Sequence, residues 1–449
     1  MTAGGAAAGS TTGEPGRRMR VLAVADSDSY VKWGAAMLDR MPPEWDRELV
    51  LLATPVLPSA AQLAAALAGS MFAAPGAPVV DLRDLAERVA RDRPDVVLLS
   101  VRGPVVRVLV RSVVAAAVGP RPVIVSGLPG ISIPETYQAL YYRSQVDLVV
   151  LHSKREVRAF TELAADRGMQ QSFALATLPF LPTRRAGTST DDAADIVFAA
   201  QAKVPALLEE RVGLVERLVA VARARPDRRV VLKLRGLAGE PQTHAEKHPL
   251  DTILAGLDDV PPNVVVSTGP MAEHLDRAAV LATVSSTAAV EAIALGVPVR
   301  LIDDFGVSGG LINIVFEGSG LFGPTESLAA DEFAPPAAAW LDDNYLHAAG
   351  DTDWIAKIEH AALLRSRGAL PLRRQFRGSL GGALRRTWDR KLALGPYDRS
   401  ASGRFAYVAV VPVRGAVRRA RALRARLRRA VERRRATRLV DPAETPISG

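Results

Sequence analysis

Long apolar runs alternate along the chain with polar breaks and amphipathic stretches. MRVLAVADSDSY (19–30) predicts a buried strand that opens into a polar loop, with a helix over 31–40. RELVLLAT (47–54) predicts a second strand, and the Ala/Leu-rich 59–69 a helix. Residues 78–101 read as loop, helix and strand, and 104–118 as a helix with Arg107 and Arg111 on one face. RPVIVSGLPG (121–130) and VDLVVLHS (146–153) add two strands, the latter followed by the helical KREVRAFTELAADRG. The strands are continuous apolar runs, not alternations of apolar and polar residues. That is the pattern of a parallel sheet covered on both faces.

LPTRRAGTSTDDAA (181–194) is a polar linker, after which the alternation restarts. Strands are expected at 194–201, 228–236, 263–269, 278–286 and 297–303, with helices at 205–224 and 287–295. The fold class is therefore α/β, with two doubly wound Rossmann-like domains facing across a cleft. The expected boundaries are a disordered leader at 1–18, a first domain at 19–185, a second at 194–365 and a basic extension at 366–449. In the extension, Val413, Val417, Ala420, Leu423, Leu427 and Val431 recur at spacings of three and four among arginines. This predicts a basic amphipathic helix within 404–440. No short internal repeat is evident.

Composition sharpens this picture in three places. The chain has 449 residues, 48% of them hydrophobic, enough for two cored domains. It has no cysteine, which excludes disulfides and thiolate metal sites. The net charge of +9 is local: from Arg404 onward there are 13 arginines against Glu432, Asp441 and Glu444, so the body is near neutral. A basic body that would bind nucleic acid specifically is not indicated; the tail suits an anionic membrane surface, or is a solvated basic tail. The leader lacks an apolar core like that of a signal peptide, and no run of about 18 apolar residues suggests a membrane span. The expectation is a cytoplasmic protein, with the tail as a peripheral hold on the inner face of the plasma membrane.

In open α/β sheets ligands bind beyond the carboxyl ends of the strands. The polar clusters of this chain fall at those ends. In TVSSTAAVEAIALGVPV (283–299), Ser285, Ser286 and Thr287 end a strand and open a helix that stops at Gly296. Small hydroxyls at a helix start suit a phosphate, and Glu291, one turn in, suits a sugar or ribose hydroxyl. The plainer alternative makes a serine a helix cap and Glu291 an arginine's partner. Lys233 and Arg235 lie in an apolar strand ending at Gly236; they call for an anion, whether a ligand or an acid such as Glu240. Lys203, in AAQAK after the first strand of the second half, suits a phosphate or simply solvent. His244 and His248 are four apart, but no third metal ligand is evident, so phosphate or base contact, or plain surface, is expected. In the first half, Asp26 and Asp28 suit a general base, with helix capping as the alternative, and Glu135 in GLPGISIPETY competes for that role.

SSTAAVEAIALGVPV resembles the donor-site segment of GT-B glycosyltransferases. It is most similar to the bacterial sialyltransferase, polysialyltransferase and capsular Kdo-transferase group, in which a Ser-Ser/Thr motif binds the donor phosphate. That group also carries a His-Pro motif serving the nucleotide phosphate; here the matching strand end is Lys233-Leu234-Arg235-Gly236, and His248-Pro249 comes later. From VLAVADSDSY to VPVRLID the chain also resembles an uncharacterised actinobacterial glycosyltransferase family. The resemblance implies an acceptor-binding first domain and a donor-binding second domain. It implies metal-independent, inverting transfer, without a cofactor, from a CMP-activated acidic sugar or a UDP-sugar to a cell-surface glycan or lipid-linked acceptor. Two alternatives remain open: a UDP-sugar 2-epimerase, and a non-catalytic nucleotide-sugar or glycan-binding protein. The epimerases carry an acidic-Ser-Gly-Gly segment with paired glutamates where this chain has Val284-Ser285-Ser286-Thr287 and the single Glu291.

Overall fold

The computed structural model describes residues 17–179, 181, 194–234, 236, 246–330, 332–371, 382–403 and 405. The leader 1–16, most of the linker and the tail expected to form an amphipathic helix lie outside them.

The first domain runs β1 (Arg20–Ala25), α1 (Asp28–Asp39), β2 (Asp46–Leu52), α2 (Ala60–Leu67), β3 (Val79–Val80), α3 (Leu82–Asp92) and β4 (Val96–Ser100). It continues through α4 (Gly103–Ala116), β5 (Val123–Gly127), α5 (Tyr137–Arg143), β6 (Leu148–Leu151), α6 (Lys154–Asp166) and β7 (Phe173–Leu175). All seven strands are parallel, in the order β3-β2-β1-β4-β5-β6-β7. Buried Val21, Ala23, Ala25, Leu98, Val125 and Val150 pack one face of this sheet against Trp33, Met37 and Leu38 of α1. Removing side chains of this size from water contributes about 1.5–3 kcal/mol each.

The second domain runs β8 (Asp195–Ala199), α7 (Leu208–Ala224), β9 (Val230–Lys233), α8 (Leu250–Ala255), β10 (Val264–Ser267) and α9 (Met271–Leu275). After these come β11 (Ala278–Thr283), α10 (Ala288–Ala294), β12 (Val299–Ile302), β13 (Phe322–Gly323) and α11 (Ala338–Asp343). Its six strands are parallel in the order β10-β9-β8-β11-β12-β13. Both sheets thus have the strand order of a dinucleotide-type Rossmann fold. α10 ends as its sequence predicts. Gly296 has φ +73°, and the N–H groups of Gly296 and Val297 donate to Ile293 and Ala292 oxygens at 3.0 and 2.9 Å, a Schellman stop.

α12 (Trp354–Ser366) corrects the grouping expected for its segment. The sequence places 354–365 with the second domain, yet Trp354 and Ile358 join the core of the first sheet. Backbone and side chain of Asp353 bond Leu175 of β7 at 3.0 and 2.8 Å, and Arg365 pairs with Asp95 at 2.8 Å. A second compact unit begins at Leu380; its described part holds α13 (Ala383–Leu394), with Arg390 paired to Asp398 at 3.2 Å. No helix among the described residues is long and apolar enough to cross a membrane.

The two sheets are joined beside α6. The Glu156 carboxylate accepts from Ser132 N at 2.7 Å, His152 N at 2.9 Å and the Tyr345 hydroxyl at 2.6 Å. Around it, Lys154 pairs with Asp342 at 2.8 Å and Arg158 with Asp343 at 2.6 Å, tying α6 to α11. These exposed pairs are each worth well under about 1 kcal/mol. The buried carboxylate has the larger role.

His152, which follows β6, has no exposure. Its Nε2 accepts from Trp33 Nε1 at 2.7 Å, and Nδ1 meets Ala176 O at 3.1 Å, which assigns the Nδ1–H tautomer. Burial pushes its pKa down to about 4. The unfolded chain therefore binds a proton between about pH 6.5 and 4 that the folded chain refuses, and stability falls as pH drops through that window. We expect His152→Gln to remove about 2 kcal/mol of the stability difference between pH 7 and 5. Urea unfolding at the two pH values measures it; an unchanged acid slope in the variant would show that His152 is not held neutral.

Candidate active site

The carboxyl ends of the two sheets meet across a cleft. A Cβ placed on Gly130, in the loop after β5, would lie 3.7 Å from Thr287 Cγ2, and one on Gly309, after β12, 3.7 Å from Pro134. Gly127, at the end of β5, is demanded by close packing: a Cβ there would run into the Trp33 ring and stand 2.8 Å from Val150 O.

On the second-domain side, the three hydroxyls separate into different tasks. Ser285 is buried, and its N and Oγ both donate to Gln201 Oε1, at 2.9 and 3.1 Å. Thr283 Oγ1 donates to Ala199 O at 2.9 Å and accepts from Ser286 N at 3.2 Å. These bonds fasten the end of β11 to the loop after β8. Ser286 Oγ accepts from Ala288 N at 3.2 Å, so it caps the first turn of α10. Thr287 makes no capping bond with its side chain and is half-buried at the cleft.

Glu291 lies on α10 with no hydrogen-bond partner among the described residues. Burial raises its carboxyl pKa, and the charges of Lys32 and Lys233 pull it back. Lys32 belongs to α1 of the first domain, Lys233 to the end of β9, so this carboxylate feels a cation from each side of the cleft. Lys233 is 8% exposed and donates to Leu234 O at 2.9 Å. Gly236 is buried nearby in sequence, and Lys203 is exposed. His248 contributes its backbone oxygen to Arg211 Nη1 at 2.9 Å, while Arg211 also holds Gln201 O at 2.7 Å and pairs with Glu246. Arg235 and His244 lie outside the described residues. Among the described residues no group of three His, Asp or Glu side chains fits a metal.

On the first-domain side, Asp26 and Asp28 part company. Asp26 is fully buried and accepts from Arg102 N at 3.1 Å and Arg102 Nε at 2.9 Å. Burial raises its pKa and Arg102 opposes the rise, so a desolvated site and a guanidinium set its titration. Asp28 is the first residue of α1, half-buried, capped at Ser27 without a side-chain bond, and has no hydrogen-bond partner among the described residues. Glu135 is half-buried in the loop before α5, also without one.

Several residues that organise this rim gave no motif in the sequence. Lys32 sits four residues beyond Asp28 on the same helix face, a spacing that offered the one available hint. Gln201 lies within the AAQAK loop, where Lys203 is the residue whose charge suggests a ligand. Arg102 and Arg211 act through contacts distant in sequence.

Two parallel Rossmann sheets opposed at their strand ends define the GT-B architecture. The chain belongs to the family described as "Putative glycosyltransferase (DUF6716)", which matches residues 21–361. It is an enzyme of the glycosyltransferase class. No curated relative matches the chain. Among solved structures, a "putative UDP-N-acetylglucosamine 2-epimerase" from Listeria monocytogenes shares 14% identity at a TM-score of 0.51, over 80% of this chain and 99% of that one. The glycosyltransferase SnogD from Streptomyces nogalater shares 15% at a TM-score of 0.36, over 79% and 100%. MurG from Acinetobacter baumannii shares 10% at 0.38, over 78% and 99%. At such identities the first likeness is one of fold alone.

The Asp26–Arg102 pair sets a test of what this rim needs to stay folded. Arg102→Ala strands a buried carboxylate and is expected to lower stability by about 3 kcal/mol at pH 7. The deficit should shrink at acidic pH, because burial raises the Asp26 pKa and a protonated carboxyl carries no buried charge. Chemical denaturation at neutral and acidic pH reads this; an equal deficit at the two would contradict the assignment.

Proposed function

We propose that the chain transfers a sugar from a nucleotide-sugar donor held by the second domain to an acceptor held by the first. The observation that carries this is the cleft-side cluster of Thr287, Glu291, Lys233 and Lys32. Thr287 at the start of α10 has no side-chain hydrogen-bond partner among the described residues, and a phosphate oxygen there would accept its proton. Glu291 accepts from a ribose or sugar hydroxyl. Lys233 and Lys32 flank it and neutralise the leaving phosphate as charge develops there. Gln201 and Ser285 hold the β8 and β11 loops in register beneath the donor. Lys203, Arg235, Gly236, His244 and His248 complete the donor side on the grounds given by the sequence.

Asp28 is the proposed general base. It deprotonates the acceptor hydroxyl, which then attacks the anomeric carbon from the face opposite the leaving nucleotide, inverting the centre. Asp26 supports it from below through Arg102, and Glu135 is the alternative base. The donor is a CMP-activated acidic sugar or a UDP-sugar; the serine motif favours the former. A glycan or lipid-linked acceptor, presented at an anionic membrane surface that the Arg-rich tail touches, fits an enzyme of this kind at the cytoplasmic face.

A thermal-shift and calorimetric screen against CMP, UDP, GDP and their sugars tests the reading. The preferred nucleotide should bind Thr287→Val about 10- to 100-fold more weakly, the effect of one charge-assisted hydrogen bond, with melting unchanged. Asp28→Asn should bind it normally and fail to transfer. Unaltered affinity in Thr287→Val, or full turnover in Asp28→Asn, would refute the respective role.

A further inference from the structure

Arg143 ends α5 at the carboxyl end of β5 and is 2% exposed. Its Nε donates to Gly127 O at 3.1 Å, Nη1 to Ala139 O at 3.3 Å and Nη2 to the Tyr30 hydroxyl at 2.9 Å. All three acceptors are neutral, and no carboxylate among the described residues pairs with this guanidinium. A charge taken out of water without a counter-charge is costly unless an anion comes close to it.

Tyr30 is where that charge reaches the cleft. Its hydroxyl accepts from Arg143, so its own proton is left to donate elsewhere, and donation by a cation makes that proton a stronger donor. The residue is half-buried and sits in the first turn of α1, two positions beyond Asp28. Arg102 is tied to the same turn from the other side, through Asp26. Its Nη2 is buried without a hydrogen-bond partner among the described residues. Arg107 follows on α4, its guanidinium 4.5 Å above the Tyr141 ring. Cations and phenol rings therefore crowd the rim between α1, α4 and α5. Among the described residues, the one carboxylate bonded to Arg102 is Asp26.

We propose that the acceptor carries an anionic oxygen group, a phosphate or a carboxylate, that docks on the first turn of α1 against the Tyr30 hydroxyl, beside the Arg102 side chain, which is 35% exposed. Arg143 acts through Tyr30 as a positioning residue. The docked anion fixes the acceptor with its hydroxyl beside Asp28. This rests on the reading that the first domain receives the acceptor, and it adds the chemical class of that acceptor.

The test titrates phenyl phosphate and benzoate into the full-length chain by calorimetry, using wild type, Tyr30→Phe, Arg143→Gln and Thr287→Val. Melting curves confirm that each variant is folded. Saturable binding of one probe, weakened about tenfold in Tyr30→Phe and in Arg143→Gln but kept in Thr287→Val, is the expected result. The preferred probe then names the group as phosphate or carboxylate. Loss in Thr287→Val with retention in Tyr30→Phe would place the anion on the donor side and overturn the inference, leaving the transferase reading intact. Absence of saturable binding in wild type, in preparations that still bind nucleotide, would overturn it too. Should Arg143→Gln fail to fold, Tyr30→Phe, which removes a single oxygen, decides alone.

Discussion

The arrangement of the cleft depends on one desolvated carboxylate. Glu156 has no exposure, and burial pushes its pKa up, against the four donors of Tyr345, His152, Ser132 and Ser153 that draw it down. Those donors come from the loop after β5, the end of β6 and the second domain. Tyr345 is itself fully sequestered, its hydroxyl raised well above the ordinary range by burial, so it remains a proton donor. Removing any one partner leaves the others facing a buried group they no longer satisfy. Through Ser132 the carboxylate fixes the loop that carries Gly130 and Glu135. Through Tyr345 it fixes the second domain against that loop. The approach of Gly130 to Thr287 follows from both.

On this frame the two rims of the cleft have different electrostatic characters. At the second-domain rim a desolvated acid, Glu291, feels Lys233 of its own domain and Lys32 of the first, an arrangement suited to hydroxyls with a phosphate beside them. The first-domain rim places one engaged acid, Asp26, beneath guanidinium groups, and leaves Asp28 clear in front. The polar residues that touch neither rim's ligand still matter. Gln201, Thr283 and Arg211 satisfy loop backbone that would otherwise be buried without partners, and so hold the strand ends still.

Much of this was legible in the sequence, for identifiable reasons. Runs such as VVLLS and VIVSG are buried on both faces, so their strands announce themselves. The start and stop of α10 are written in Ser286 and Gly296, one a cap and the other a left-handed turn. What was not legible depends on contacts distant along the chain. The two-residue strands β3 and β13 are too short to show a period. α5 lies in a segment, 131–145, to which the sequence pattern assigns no element. Nothing in the periodicity of α12 says that Trp354 and Ile358 return to the first sheet. The Asp26–Arg102 pair spans 76 residues, and the pattern DSDS gives no sign that its first acid is engaged and its second is not. The serine motif marks the end of β11 and the start of α10, but only the bonds of Ser285 and Ser286 show that their first duty is to the loops, while Thr287 makes no capping bond with its side chain.

The central claim is that this cleft breaks the bond between a sugar and its nucleotide. It is tested most directly by incubating the full-length chain with CMP- and UDP-linked sugars without acceptor and following the sugar by NMR. A transferase leaks to water: slow release of nucleotide is predicted, with free sugar of inverted anomeric configuration. A nucleotide sugar returned as its 2-epimer, with no anomeric inversion, would contradict the account.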